Sequence, residues 1–327
     1  MQYTTLGRTG VKVSRLCFGT MSFGGEADEQ TSAAMFARCR EAGINFFDCA
    51  DVYNKGRSEE ILGSLTASCR DELVLTTKVY APMSDDPNDR GLSRRHILLA
   101  VENSLRRLRT DRIDLYFCHL FDASVAMEET LRAMDDLVRQ GKVLHPAVSN
   151  WAAWQIERAL GISAREHWAR FECVQPMYNL VKRQAEVEIL PMAAAESLGV
   201  IPYSPLGGGL LTGKYGVDRK PDAGRIVENK MYKLRYADPA GFEAAERLAE
   251  YAAERGAHPA TVAVAWVMHH PAVTAPIIGA RNLDQLEPSL AAADFEMTPI
   301  ERRKIGKLSP EPPVATDRAE EKIKPMW

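Results

Sequence analysis

The segment Leu16-Cys17-Phe18-Gly19-Thr20-Met21-Ser22-Phe23-Gly24-Gly25 decides between the two folds that the rest of the chain allows. A short apolar run ends in glycine, as a buried strand entering a loop should. In a doubly wound dinucleotide-binding sheet, the first strand would lead into Gly-x-Gly-x-x-Gly at the start of a helix. Here the glycines stand at 19, 24 and 25, a spacing that does not fit. The architecture left for repeated strands and helices is an α/β (β/α)8 TIM barrel.

Outward from that segment, apolar runs recur at 45–48, 73–78, 113–119, 143–148, 173–176, 199–203 and 274–278, making eight with 16–18. Most are apolar on both faces, which suits parallel strands covered by helices. Amphipathic stretches lie between them at 29–42, 94–108, 127–140 and 185–197. In the second, Ser93 is placed to cap the helix, and Ile97, Val101, Leu105 and Leu108 recur at helical spacing. Gly141 and Gly199 close the last two. Upstream, 3–6 and 11–14 flank Gly7-Arg8-Thr9-Gly10, an N-terminal β-hairpin expected to plug the barrel floor. Residues 207–240 read as a long loop over one end, and the tail after Thr298, with Pro310, Pro312, Pro313 and Pro325, as irregular and surface-draped. With no linker or internal repeat, the expectation is one domain over 1–327.

The composition narrows the function classes. With 46% hydrophobic and 26% charged residues, the 327-residue chain is globular rather than disordered. Its 41 basic and 44 acidic side chains give 41 − 44 = −3 and form no sustained basic run, so no nucleic-acid partner is expected. The six cysteines include no CxxC pair and none at metal-ligand spacing from histidine, so no metal is expected. The opening MQYTTLGRTG is unlike a signal peptide, and no run reaches the ~18 apolar residues that span a bilayer. A cytoplasmic enzyme without membrane association is the default. No apolar surface stripe indicates an oligomeric state.

In such a barrel, chemistry gathers where strands end. The second strand ends in Asp48, with Tyr53 in the following loop; the third ends in Lys78 and the fourth in His119. Singly, each has a structural explanation: a helix cap, a packing tyrosine, a strand reaching water, a core histidine. Together on one rim they form a coherent set. A phenol ionises near pH ~10, too high for easy acid catalysis, and an ammonium held by a carboxylate lowers that value. A histidine beside them can donate to a carbonyl oxygen. Met21, Phe23, Val52 and Leu120 are the pocket candidates, while Cys49, Cys118 and the histidine pair His269-His270 read as packing and helix-end residues.

The blocks LGRTGVKVSRLCFGTMSFG, FFDCADVYNKGRSEEILG, LTTKV, RIDLYFCHLFD, VSNW, QPMYNL, YSPLGGGLLTGKY and PIIGARNLDQLEPSL follow one another along the chain. In content and order, this series resembles the aldo-keto reductase family. The resemblance implies a barrel that binds a nicotinamide dinucleotide and reduces an aldehyde or ketone. It implies Tyr53 as general acid, Lys78 and Asp48 as the pair lowering its pKa, and His119 as the carbonyl-orienting donor. Gly19, Thr20, Met21 and Asp48 would border the cofactor. Ser149, Asn150 and Gln175 would bind the carboxamide, and Tyr203 would stack on the nicotinamide. Ser204, Pro205, Leu206, Gly208 and Lys214 would surround the pyrophosphate, with Arg225 as a further clamp. Gly279, Arg281 and Gln285 would hold the adenosine phosphate, Arg281 favouring NADPH (NADP+) over NADH. Pro288-Ser289 replaces the family's common Glu-Asn, at positions that contact adenine. The resemblance also reaches potassium-channel β-subunits, so a nicotinamide-binding regulatory subunit is one alternative. An NAD-dependent sugar or alcohol dehydrogenase on the same fold is another.

Overall fold

The structure, a computed structural model, describes residues 1–318; the expected Pro325 lies outside them. An antiparallel hairpin, β1 (Tyr3–Thr5) and β2 (Lys12–Ser14), precedes eight parallel strands. These are β3 (Cys17–Gly19), β4 (Phe46–Asp48), β5 (Val74–Val79), β6 (Ile113–Cys118), β7 (Val143–Ser149), β8 (Cys173–Gln175), β9 (Gly199–Val200) and β10 (Ile277–Ile278). They pair in the order β10-β3-β4-β5-β6-β7-β8-β9. The ring is completed between β9 and β10 by backbone N–H groups of Thr274 and Ile277, donating to Val200 and Pro202 carbonyls at 2.8 and 2.9 Å. The result is a (β/α)8 barrel.

The last two strands are shorter than the apolar runs at 199–203 and 274–278. Pro202 and Pro276 lie inside those runs and have no N–H for a ladder. Their carbonyls still accept, from Ile277 and Cys17. Inside the ring, Cys17, Phe46, Val74, Leu115, Phe117, Ala147 and Cys173 form the barrel core, and Leu6 and Val13 of the hairpin join it. The hairpin is therefore the floor. Gly7 has a φ of 50°, and a Cβ there would stand 2.7 Å from the Gly199 nitrogen, so only glycine fits this approach.

Helices α1 (Glu29–Glu41), α2 (Arg57–Thr66), α3 (Arg94–Leu108), α4 (Met127–Arg139), α5 (Ala153–Glu166) and α6 (Ile189–Ala195) alternate with β3–β9. Asp28 and Ser93 cap α1 and α3 by accepting backbone N–H bonds. The alternate strand residues Phe18, Phe47, Leu75 and Tyr116 pack against these helices. The 207–240 segment is partly ordered into a 3-10 turn (Gly207–Thr212), α7 (Arg225–Glu228) and α8 (Lys230–Arg235). Then come α9 (Pro239–Glu254), α10 (Pro259–Met268) and, after β10, α11 (Leu283–Leu290).

The tail corrects the expectation of irregular chain after Thr298. Pro299–Gly306 is helix α12, opened by a reciprocal capping box between Thr298 and Glu301. His269 does end α10. Burial nevertheless lowers the pKa of both histidines, His270 to about 4, so neither offers the helix dipole a charge at neutral pH. Among the described residues, no helix is long and apolar enough to cross a membrane.

Candidate active site

At the C-terminal ends of the strands, a cleft of about 810 Å³ runs from Tyr53 and His119 past Tyr203 to Arg281. Asp48 closes β4, and Lys78 lies in β5, where it pairs in register with Phe117. The Lys78 side chain is wholly buried behind the cleft rather than on its rim. Its ammonium donates to Asp48 Oδ2 at 2.7 Å, to the Cys49 carbonyl at 2.6 Å and to Tyr53 Oη at 3.2 Å. Asp48 Oδ1 accepts from Thr76 Oγ1 at 2.7 Å and Gln175 Nε2 at 2.9 Å. The carboxylate is thus fixed on both oxygens.

Tyr53 begins a 3-10 turn, Tyr53–Gly56, in which Asn54 and Lys55 take left-handed backbone angles. Asn54 Nδ2 donates to the carbonyls of Met21 and Phe23 at 3.0 and 2.7 Å, locking this turn to the loop after β3. His119 follows β6, with its ring edge-on to Tyr53 at 6.3 Å between centroids. Burial pushes the Tyr53 phenol up to about 12, while Lys78 pulls it down and Asp48 directly raises it. Lys78 opposes the burial, and Asp48 helps only by keeping Lys78 charged. Burial would discharge Lys78, but the Asp48 carboxylate and Tyr53 outweigh it and hold the ammonium charged. Burial, aided by the Lys78 charge, drives His119 down to about 3, leaving a neutral imidazole.

Beyond this cluster, Tyr203 Oη donates to Asn150 Oδ1 at 2.7 Å, and Asn150 Nδ2 donates to the His119 carbonyl at 3.0 Å. Asn150 and Ser204 both have φ of 59°, local strain at the turns after β7 and β9. Ser149 Oγ donates to the Gln175 carbonyl at 2.9 Å. Farther along, Glu26 accepts from both Arg225 and Arg281, at 2.7 and 2.8 Å, so one carboxylate bridges two cations that line the cleft.

The profile of the Aldo/keto reductase family matches residues 15–309. The chain belongs to that family. It is 38% identical to the uncharacterized oxidoreductase YrpG of Bacillus subtilis, over 98% of this chain and 99% of that protein. A probable voltage-gated potassium channel subunit beta of Oryza sativa is 37% identical, over 90% of this chain and 92% of its own. A versiconal hemiacetal acetate reductase of Aspergillus parasiticus is 32% identical, over 92% and 95%.

Of the expected positions, Gly19, Met21, Asp48, Tyr53, His119, Ser149, Asn150, Gln175, Tyr203, Ser204, Pro205, Leu206, Gly208, Lys214, Arg225, Gly279, Arg281 and Gln285 all line the one cleft, and Leu120 does too. Two do not. Thr20 is buried beneath α2, its hydroxyl donating to the Asp48 carbonyl and accepting from Ser58. Ser289 shares the buried face of α11 with Leu286 and Leu290, and Pro288 borders the cleft instead. Phe23 and Val52 are not among the lining residues either. Cys49 and Cys118 are buried and their thiols are raised by burial, consistent with packing.

Sequence reasoning missed Tyr80, Ala81, Tyr232, Arg235 and His258 on the cleft. It also missed Glu26 and the buried carboxylate of Asp51. Only Asp51 had a local signal, being a second carboxylate in the otherwise apolar approach to Tyr53.

Proposed function

We propose that this chain is a single-domain NADPH-dependent reductase of aldehydes or ketones, with Tyr53 as the proton donor. The observation that carries the reading is the Tyr53–Lys78–Asp48 chain of contacts, with neutral His119 beside it at the mouth of one long cleft. A substrate carbonyl oxygen lodged between Tyr53 and His119 would accept from both. His119, kept neutral, can donate one N–H and orient the carbonyl without competing as an acid. As the oxygen gains electrons, Tyr53 gives up its proton, and the Lys78 ammonium 3.2 Å away stabilises the phenolate left behind. Asp48 in turn holds that ammonium charged and in place.

The cleft's residues fit a nicotinamide dinucleotide. Its length, the amide and hydroxyl groups of Gln175, Asn150 and Ser149, the tyrosine face of Tyr203, and the cations Lys214, Arg225 and Arg281 all border it. Gly208, with φ of 67°, lets the Tyr232 ring lie against the backbone beside the cleft; a Cβ there would stand 2.6 Å from the ring. When bound, the cofactor supplies a hydride to the carbonyl carbon, and the protein supplies alignment and the proton. Overall, carbonyl, NADPH and a proton become alcohol and NADP+. Arg281 supports NADPH over NADH, because a guanidinium suits a phosphate dianion. A cytoplasmic setting belongs to the same reading, and all six cysteines are free thiols.

The potassium-channel relatives support a second reading, a cofactor-binding regulatory subunit. One experiment separates the two: fluorescence titration with NADPH and NADH, followed by turnover on a panel of aldehydes. The reductase reading expects tight NADPH binding with turnover. Tight binding without turnover would favour the regulatory subunit, and no binding would contradict both.

A further inference from the structure

Tyr53 is carried by a turn whose backbone is held in a costly shape. Asn54 and Lys55 take φ of 49° and 56°, and Gly56 follows at 88°. For side chains other than glycine, such angles persist where the surroundings impose them. Asparagine tolerates them better than most residues. The surroundings here are the loop after β3. Asn54 spends both hydrogens of its amide on that loop, donating to the carbonyls of Met21 and Phe23 at 3.0 and 2.7 Å.

The loop is a firm anchor. Phe23 is fully buried, its ring 5.8 Å from that of Phe18 in β3. Ser22 Oγ donates to the carbonyl of Ala280, beyond β10, at 2.6 Å. Ser58, just past the turn, donates to the Thr20 carbonyl at 2.8 Å. Gly25 completes the seat, since a Cβ there would stand 2.5 Å from Asn54 Oδ1. Gly25 has no left-handed backbone angle of its own, so the approach of Asn54 is what asks for glycine. The Tyr53 hydroxyl has far less to hold it. Among the described residues its one hydrogen-bond partner is Lys78, at 3.2 Å. The place of the phenol is therefore set by the turn beneath it, and a shift of about 1 Å in a reacting group can cost about a hundredfold in rate.

We propose that Asn54 is a positioning residue, which pins the Tyr53 turn to the loop after β3 and so fixes where the phenol delivers its proton. This deepens the reductase reading and rests on it. Asn54 is exposed and is not among the residues that line the cleft, so it acts through Tyr53 rather than on a substrate.

Single-turnover reduction of 4-nitrobenzaldehyde and NADPH affinity are measured on wild type, N54D, G25A, Y53F and the double variant Y53F/N54D. N54D keeps the shape of the side chain and its tolerance of the turn, but turns two donor hydrogens into a carboxylate facing two carbonyls. Reduction should slow about tenfold to a hundredfold, with NADPH affinity unchanged. G25A pushes the same amide off its seat from the other side, and should slow reduction in the same direction. In the Y53F background, N54D should change the rate by less than about twofold, because the hydroxyl it positions is gone. Equal slowing by N54D in both backgrounds would give Asn54 a general structural role and overturn the proposal. N54D or G25A at the wild-type rate would overturn it too, as would a loss of NADPH affinity matching the loss of rate. Wild type that binds NADPH and reduces no aldehyde would contradict the reductase reading itself, and this inference with it.

Discussion

The Lys78 ammonium lies 2.7 Å from the Asp48 carboxylate, and both side chains are buried at the ends of adjacent strands. A buried charge needs its partner more than the pair adds to stability, so the two residues are best tested by removing one. Asp48→Asn keeps the shape of the side chain but leaves Lys78 with the Cys49 carbonyl and Tyr53 alone. We expect a loss of about 3–5 kcal/mol in unfolding free energy. Denaturant titration of the two proteins reads it, and equal midpoints would show that the pair is not the buried ion pair described here.

The pH dependence should divide by direction of reaction. With His119 driven down to about 3 and Tyr53 up to about 12, neither changes state near neutrality. Single-turnover reduction with NADPH already bound should therefore be flat from about pH 6 to 9. Alcohol oxidation needs the phenolate, so its rate should climb about tenfold per pH unit over the same range. A reduction rate that fell through a midpoint near 6.5 would make His119, and not Tyr53, the titrating acid.

Asp51 has both carboxylate oxygens buried without a hydrogen-bond partner, and Tyr116 Oη is buried unpartnered as well. Burial, then the neighbouring Glu59 charge, push the Asp51 carboxyl up to about 8. The unfolded chain would ionise this group near pH ~4, so between pH ~4 and ~8 the folded state holds the extra proton and stability falls as pH rises. Asp51→Asn removes that dependence. The variant should unfold at higher denaturant than wild type at pH 8, by about 5 kcal/mol, and differ little at pH 4. A constant difference across this range would mean that Asp51 does not titrate there.

Arg281 and Arg225 meet on Glu26. If Arg281 receives the adenosine 2′-phosphate, Arg281→Ala should weaken NADPH about tenfold to a hundredfold and leave NADH nearly as it was. Titration with both coenzymes checks this, and equal losses would remove Arg281 from any role in coenzyme choice.

Much of this was legible in the sequence. The eight apolar runs became eight strands because burial on both faces leaves an unmistakable composition. The position of Asp48 at the end of β4, and those of Lys78 and His119 one residue inside and one beyond the ends of β5 and β6, followed closely from where each run stops. What escaped notice was set by packing. Nothing in the residues around Glu26 says that Arg225, far away in sequence, will meet it. Ser289 turned inward because α11 buries the face that holds Leu286, a rotation no motif specifies. The prolines of the tail masked α12, although Thr298, Pro299 and Glu301 form a helix start that could have been read. The sign of the Tyr53 shift needed the enclosure of the site, which no pattern of residue types conveys.

The central claim is that Tyr53 delivers the proton to a reduced carbonyl, and Tyr53→Phe tests it most directly. The substitution removes one hydroxyl and keeps the ring that lies against His119. NADPH affinity and single-turnover aldehyde reduction would be measured on the same protein. The account predicts unchanged affinity with reduction slowed by about 10²–10⁴-fold. Reduction at the wild-type rate would contradict it.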